Sequence, residues 1–230
     1  MTDEGPVGSG RRLAEGRSAT VFLLEDGWVL RRSKDPRHDV GTEAAVLRWA
    51  ARHGVPVPEV REAAGPDLVL EHVPGPSMLT ALLDDAAGAG AHGRTLADLH
   101  GCLDRVPAPP ELPAPPGRAG RLLHGDLHPG NVLLADAGPV LIDWTNAASG
   151  PSAHDTATTW LGLACLEPPA PEVDVWHAVR RPHVDGFLSG IDRSAAVAAM
   201  PQVASGRIAD PATTDRERDR IEAFLDEITR

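Results

Sequence analysis

The segment from Arg121 to Leu134, RLLHGDLHPGNVLL, sets two His, an Asp, an Asn, a Pro and two Gly between runs of leucine. Apolar flanks of that kind are buried, whereas the Gly, Pro and Asn between them specify turns. A polar loop with both ends buried has to sit where strands or helices converge. Within it, His124, Asp126 and Asn131 follow the spacing H-x-D-x-x-x-x-N, and Asp143 comes twelve residues after Asn131, at the end of the apolar run Val140-Leu141-Ile142.

That spacing has a mechanical meaning. One carboxylate accepts or orients the proton of an attacking hydroxyl. An amide oxygen a few residues on, with a second carboxylate from the next strand, holds Mg²⁺ on nucleotide phosphates. A hairpin-like return from Asn131 to Asp143 places the two ligands side by side. The bland alternative is an Asn/Asp/Gly-rich loop between two strands.

The rest of the chain supplies a frame for such a loop. Residues 11–33 read as strands, with a bend at Glu15-Gly16-Arg17, an apolar run Val21–Leu24, a turn at Glu25-Asp26-Gly27 and a second run from Trp28 to Leu30. Asp-Gly between two apolar runs is a hairpin signal. Gly41 to His53 has helical spacing, ended by Gly54. VPVPEV enforces extended backbone, and Asp67–Glu71 is a short strand stopped by Pro74-Gly75-Pro76. Beyond it, Met78–Asp85, Gly93–Leu103, Asp155–Leu166 and Asp215–Thr229 read as helices, Pro139–Trp144 as a strand and Val106–Gly117 as a Pro-rich connection. Strands followed by helices imply an α+β, bilobal chain, small and β-rich over 1–73 and larger and mostly helical over 74–230.

Composition narrows the partners. The chain of 230 residues carries a net charge of -11, which argues against nucleic acid, since phosphate neutralisation needs clustered Lys and Arg. Residues 1–73 hold 12 acidic and 10 basic side chains and residues 74–230 hold 21 and 12, so the second part carries -9 of the -11. An acidic body suits a cationic substrate; it is also what an ordinary solvated surface looks like. There is no apolar run of 18 residues and the first ten residues are polar, so neither a membrane span nor a signal peptide is expected. Two cysteines, Cys102 and Cys165, suit a reducing, cytoplasmic location.

HGDLHPGNVLL followed by LIDW resembles the aminoglycoside phosphotransferase/choline kinase-like branch of the protein-kinase-like fold, over roughly Gly10 to Leu166. The resemblance implies Mg-ATP or Mg-GTP as phosphoryl donor, Asp126 as catalytic base, and Asn131 and Asp143 as Mg²⁺ ligands. It implies structural, loop-shaping roles for His124 and His128. It places Ser18, in EGRSATV, at the phosphate-covering hairpin, and Glu43 where the fold has a helix Glu paired with a strand lysine. No lysine stands at that strand position. Arg31 does, with Arg32 next, and the only lysine of the chain is Lys34. Strand alternation puts Val29 and Arg31 on one face and Leu30 and Arg32 on the other. Arg31 is the favoured replacement and Arg32 the second, while Lys34, beside Asp35-Pro36, reads as solvated.

The hinge strand of the family aligns with Leu68–Val73, so the Glu71 carbonyl and the Val73 N–H would read the nucleotide base. Pro74 has no N–H to offer. Asp155 is expected to cap its helix and brace the catalytic loop; Trp160 and Trp176 are expected in the core rather than lining an acceptor site. The resemblance thus implies a small-molecule kinase acting on an acceptor hydroxyl, with an aminoglycoside-like or other cationic compound as candidate acceptor. The alternative is a catalytically silent nucleotide-binding protein, motivated by Arg31.

Overall fold

The computed structural model describes residues 10–16, 18–113, 120–167 and 173–229. Arg17 of the expected first bend, and residues 114–117 of the Pro-rich connection, lie outside them.

The first part is a five-stranded antiparallel sheet: β1 Arg11–Glu15, β2 Ala19–Leu23, β3 Trp28–Ser33, β4 Val60–Ala64 and β5 Asp67–Glu71, in the spatial order β1-β2-β3-β5-β4. The β2–β3 hairpin closes through Asp26 and Gly27, both in the left-handed region with φ of 59° and 78°, as its Asp-Gly pair predicts. β4 goes beyond the sequence reading. Its burial pattern is mostly exposed, and pairing with β5, not periodicity, makes it a strand.

Helix α1, Gly41–Arg52, buries Glu43, Ala44, Val46, Leu47 and Ala50 on one face. It ends in a Schellman motif. Gly54 is left-handed, its N–H bonds the Ala51 carbonyl at 3.0 Å, and the Val55 N–H bonds that of Ala50 at 3.1 Å.

The larger part is mainly helical: α2 Met78–Asp84, α3 Ala89–Leu103, α4 Ser152–Cys165, α5 Val173–Leu188, α6 Arg193–Ala209 and α7 Asp215–Ile228. Two small ladders lie among them, β6 Arg121–Leu123 with β9 Ala148–Gly150, and β7 Val132–Ala135 with β8 Gly138–Leu141. The strand expected over Pro139–Trp144 is therefore shorter, because Asp143 turns out of the extended region. The stripe Leu96, Leu99, His100 and Leu103 on α3 is buried, as its spacing predicts. Helices α5 and α6 escaped the sequence reading, each carrying an internal proline, Pro182 and Pro201. α3 and α5 approach closely: a Cβ on Gly93 would lie 2.1 Å from the His183 carbonyl oxygen, and one on Gly186 would lie 2.2 Å from that of Gly90.

A backbone bond ties the two parts: the Leu141 N–H of the β7–β8 hairpin donates to the Pro56 carbonyl at 2.8 Å. It sets the hairpin that follows Asn131 and precedes Asp143 against the part that holds the sheet, while the Leu134 N–H donates within the larger part, to the Pro76 carbonyl at 2.9 Å.

Candidate active site

The loop between β6 and β7 is held from beneath. Asp155 accepts from the backbone N–H groups of His124 at 3.0 Å and Gly125 at 2.8 Å. Asp155 braces the loop, but it does not cap α4. The helix begins three residues earlier, after the extended Pro151, because β9 leads directly into it, and this places Asp155 in the first turn facing inward. Burial pushes the Asp155 carboxyl above its ordinary value, against His124 and the two N–H donors.

Two further residues join this brace. His100 Nε2 lies 2.9 Å from Thr159 Oγ1, whose hydroxyl donates to the Leu127 carbonyl at 2.7 Å, and His100 Nδ1 lies 3.6 Å from Asp155. His100 had shown itself only as a core residue on the α3 stripe; nothing in the sequence ties it to a loop so far along the chain.

Gly125 has φ of +77°, and a Cβ there would lie 2.2 Å from the Asn146 carbonyl oxygen, so no other residue fits. His124 is buried, with Nε2 donating to the Ile142 carbonyl at 3.0 Å and Nδ1 accepting from the Asp126 N–H at 3.3 Å, its ring against Trp144. Burial lowers its pKa, consistent with a neutral, structural imidazole. His128 accepts from the Gly130 N–H through Nδ1 at 3.0 Å, shaping the turn, but its other nitrogen lies 3.9 Å from Asp126 Oδ2. It therefore also faces the site.

Asn131 is nearly buried, and its side-chain amide donates to the Asp126 carbonyl at 2.9 Å. The backbone bond from Ile142 to the Asn131 carbonyl, 3.0 Å, brings Asn131 beside the start of the Asp143 segment. Asp143 takes φ of 60°, a left-handed conformation that Asp tolerates better than most residues and that turns its carboxylate off the ladder.

Arg31 reaches this carboxylate from the sheet. Its Nη1 donates to Glu43 at 2.9 Å and its Nη2 to Thr145 Oγ1 at 2.5 Å, with Asp143 Oδ1 3.5 Å away; the Thr145 hydroxyl donates to Asp143 at 2.7 Å. Burial raises the Glu43 carboxyl above its ordinary value; Arg31 opposes the rise and Asp143 adds to it. Thr145 was not singled out by sequence, since a hydroxyl two residues past Asp143 means something only once Arg31 is seen beside it. Arg32 points elsewhere, in a two-pronged pair with Asp67 at 2.7 Å through each nitrogen.

Two cavities flank the segment from Asp143 to Asn146. One, of about 580 Å³, is lined by Ser18, Arg31, Lys34, His38 and Thr145 among others. Lys34 is exposed, as expected. It lies just past the end of β3, pairs with Glu15 at 3.1 Å and forms part of this wall. The other cavity, of about 730 Å³, opens at Asp126 and His128 and runs between α4, α5 and α6, with Asn146 on its near wall. Trp160 is buried in the core, and Trp176 is buried but also lines this second cavity. Glu71 ends β5 and Val73 lies in the connection that follows, at the far end of the sheet strand from Asp67.

A protein-kinase-like fold with a braced acidic loop between two cavities defines a class of phosphoryl-transfer proteins. The chain matches the phosphotransferase enzyme family over residues 9–118 and 108–193, and it belongs to that family. The family makes it a phosphotransferase.

Solved structures share the fold at low identity. The ADP-bound aminoglycoside phosphotransferase APH(2'')-Ib is 12% identical with a TM-score of 0.62, covering 96% of this chain and 93% of its own. A choline kinase from Cryptosporidium parvum Iowa II is 12% identical with a TM-score of 0.61, covering 95% and 88%. The streptomycin-ATP-APH(2'')-IIa ternary complex is 11% identical with a TM-score of 0.59, covering 96% and 92%. No curated protein sequence matches the chain. Among the described residues, no helix is long and apolar enough to cross a membrane.

Proposed function

We propose that this chain transfers the γ-phosphoryl group of ATP to the hydroxyl of a small organic acceptor, with Asp126 as base. The observation that carries the reading is the pair of cavities divided by the Asp143–Asn146 segment. The smaller has Arg31, Lys34, Ser18, Ser33 and Thr145 on its wall, suited to a polyphosphate, together with Asp35, Pro36 and His38, and Asp126 lines the larger. In the transfer, the acceptor oxygen bonds to the γ-phosphorus as the bond from that phosphorus to the β–γ bridging oxygen breaks. The hydroxyl proton passes to Asp126, and ADP leaves.

Arg31, Lys34 and Ser18 hold the phosphates, and Glu43 orients Arg31. The Glu71 carbonyl and the Val73 N–H read the base, adenine or guanine. Asn131 and Asp143 offer an amide oxygen and a carboxylate, a hard-oxygen donor pair that fits Mg²⁺. A metal held by this pair would take its remaining ligands from the nucleotide phosphates and water. When bound, Mg²⁺ supplies charge neutralisation for the transferring group. Asp155, His100 and Thr159 hold Asp126 in place from below.

Asp126→Asn tests the assignment of the base. Turnover should fall by about 10²–10⁴-fold, the usual worth of a positioned base, while Mg-ATP affinity stays within a factor of about two to three of wild type. Unchanged turnover would remove Asp126 from that role. The silent-protein reading keeps one observation in its favour, the 3.5 Å approach of Arg31 to the Asp143 carboxylate, which competes with a metal there. It requires that Mg-ATP bind weakly or not at all, or bind without turnover.

A further inference from the structure

The acidic character of residues 74–230 suggested a cationic acceptor, yet little of it faces the larger cavity. Of the 21 Asp and Glu in that part of the chain, Asp126, Glu167 and Asp210 line the cavity among the described residues. Glu167 and Asp210 both have cationic partners within the protein. Glu167 contacts Arg220 directly, with His177 at 3.4 Å and Arg216 at 3.8 Å, and Arg220 above all holds its carboxyl below the usual range. Asp210 lies 3.7 Å from Arg207, itself a lining residue. A compound bearing several ammonium groups would meet guanidinium already paired with those carboxylates.

What the cavity does offer is apolar surface and donors. Leu79, Leu161, Leu163, Leu166, Trp176 and Val203 contribute to its wall. The volume of about 730 Å³ matches a drug-sized organic molecule and greatly exceeds a simple amino alcohol. Asn146 and Gln202 add side-chain amides to the same wall. Their NH₂ groups donate to the oxygens of a ligand.

We infer that the acceptor is an amphipathic alcohol: a bulky apolar body with ether, carbonyl or hydroxyl oxygens, at most one cationic amine, and the reacting hydroxyl presented at Asp126. This rests on the phosphotransferase reading and names its substrate class. Apolar burial against the leucine wall supplies affinity, and Asp126 with His128 selects which hydroxyl reacts.

The test is calorimetric titration of the wild-type protein, in Mg²⁺ and a non-hydrolysable ATP analogue, with three hydroxyl probes: a macrolactone carrying a single amino sugar, an aminocyclitol carrying several amines, and choline. The macrolactone should bind at least about tenfold more tightly than either of the others. Val203→Asp, which adds a carboxylate to the wall, should weaken the macrolactone and strengthen the aminocyclitol; the wild-type comparison stands whether or not that variant folds. Tightest binding of the aminocyclitol or choline, equal binding of all three, or binding of none while the nucleotide analogue binds would overturn the inference and leave the phosphotransferase reading intact. Failure of the nucleotide analogue itself to bind would sink both.

Discussion

Arg31 is the residue on which nucleotide handling turns. Its guanidinium spans a nearly buried Glu43 and an exposed Thr145 and is itself nearly buried, so it is a planar fork fixed in place rather than a mobile ammonium. Arg31→Ala should weaken Mg-ATP binding by about 10–100-fold, the worth of one to two charged hydrogen bonds. It should also destabilise the fold by about 3 kcal/mol by leaving Glu43 buried without its cation. Equilibrium nucleotide titration and urea denaturation read the two effects separately. Lys34→Ala should weaken nucleotide binding by a smaller factor, with no loss of stability, because its pair with Glu15 is exposed. Alternation along β3 separated Arg31 from Arg32 in the sequence. It gave no guide to Lys34, because the strand ends at Ser33 and the chain turns there. Thr145 was illegible for a different reason, since its partner lies 114 positions earlier.

Among the elements, the ones with local signals were the ones visible in sequence. α1 has a one-sided apolar face and a glycine stop, β2 and β3 an Asp-Gly turn, and α7 a buried Ile221 behind a Thr214–Glu217 capping box. α5 also has periodic apolar positions, Trp176, Val179, His183 and Phe187, but Pro182 interrupts the pattern. Its pairing with α3 depends on Gly93 and Gly186 meeting facing backbone, a tertiary fit no periodicity announces. Gly186→Ala should cost about 1–3 kcal/mol by forcing those helices apart, seen as a lower denaturation midpoint.

The same interface carries a pH dependence. His183 donates from Nδ1 to the Ala89 carbonyl at 3.1 Å and is fully buried. Burial first, with His92 adding in the same direction, lowers its pKa to about 4 despite that hydrogen bond, and burial lowers that of His100 to about 3. Unfolded histidines take up protons near pH 6.5, so the unfolded chain binds more protons below that value. Stability is therefore full above about pH 6.5 and falls as pH drops toward 4 and below. Midpoints measured across that range should decline, and His183→Gln should flatten the upper part of the decline.

At the scale of the whole molecule, the sheet and the helical part meet through the Leu141–Pro56 backbone bond, the Arg31 contacts to Thr145 and Asp143, and the bond from Trp49 Nε1 to the Pro107 carbonyl. The order of motifs along the chain, from Glu43 to Asp126, Asn131 and Asp143, was enough to anticipate the bilobal α+β fold. It could not anticipate the character of the acceptor cavity, whose far wall comes from α5 and α6, the elements the sequence hid. The central claim is that Asn131 and Asp143 hold a metal-nucleotide complex against Arg31. Thermal unfolding with Mg-ATP, Mg-GTP and Mg²⁺ alone, on wild type and Asp143→Ala, tests it most directly. At about a hundred times its dissociation constant, Mg-ATP should add about 2.7 kcal/mol, a rise of roughly 5–10 °C in the midpoint. The rise should require Mg²⁺ and vanish in Asp143→Ala. No shift with either nucleotide, or a shift indifferent to both Mg²⁺ and Asp143, would contradict the account.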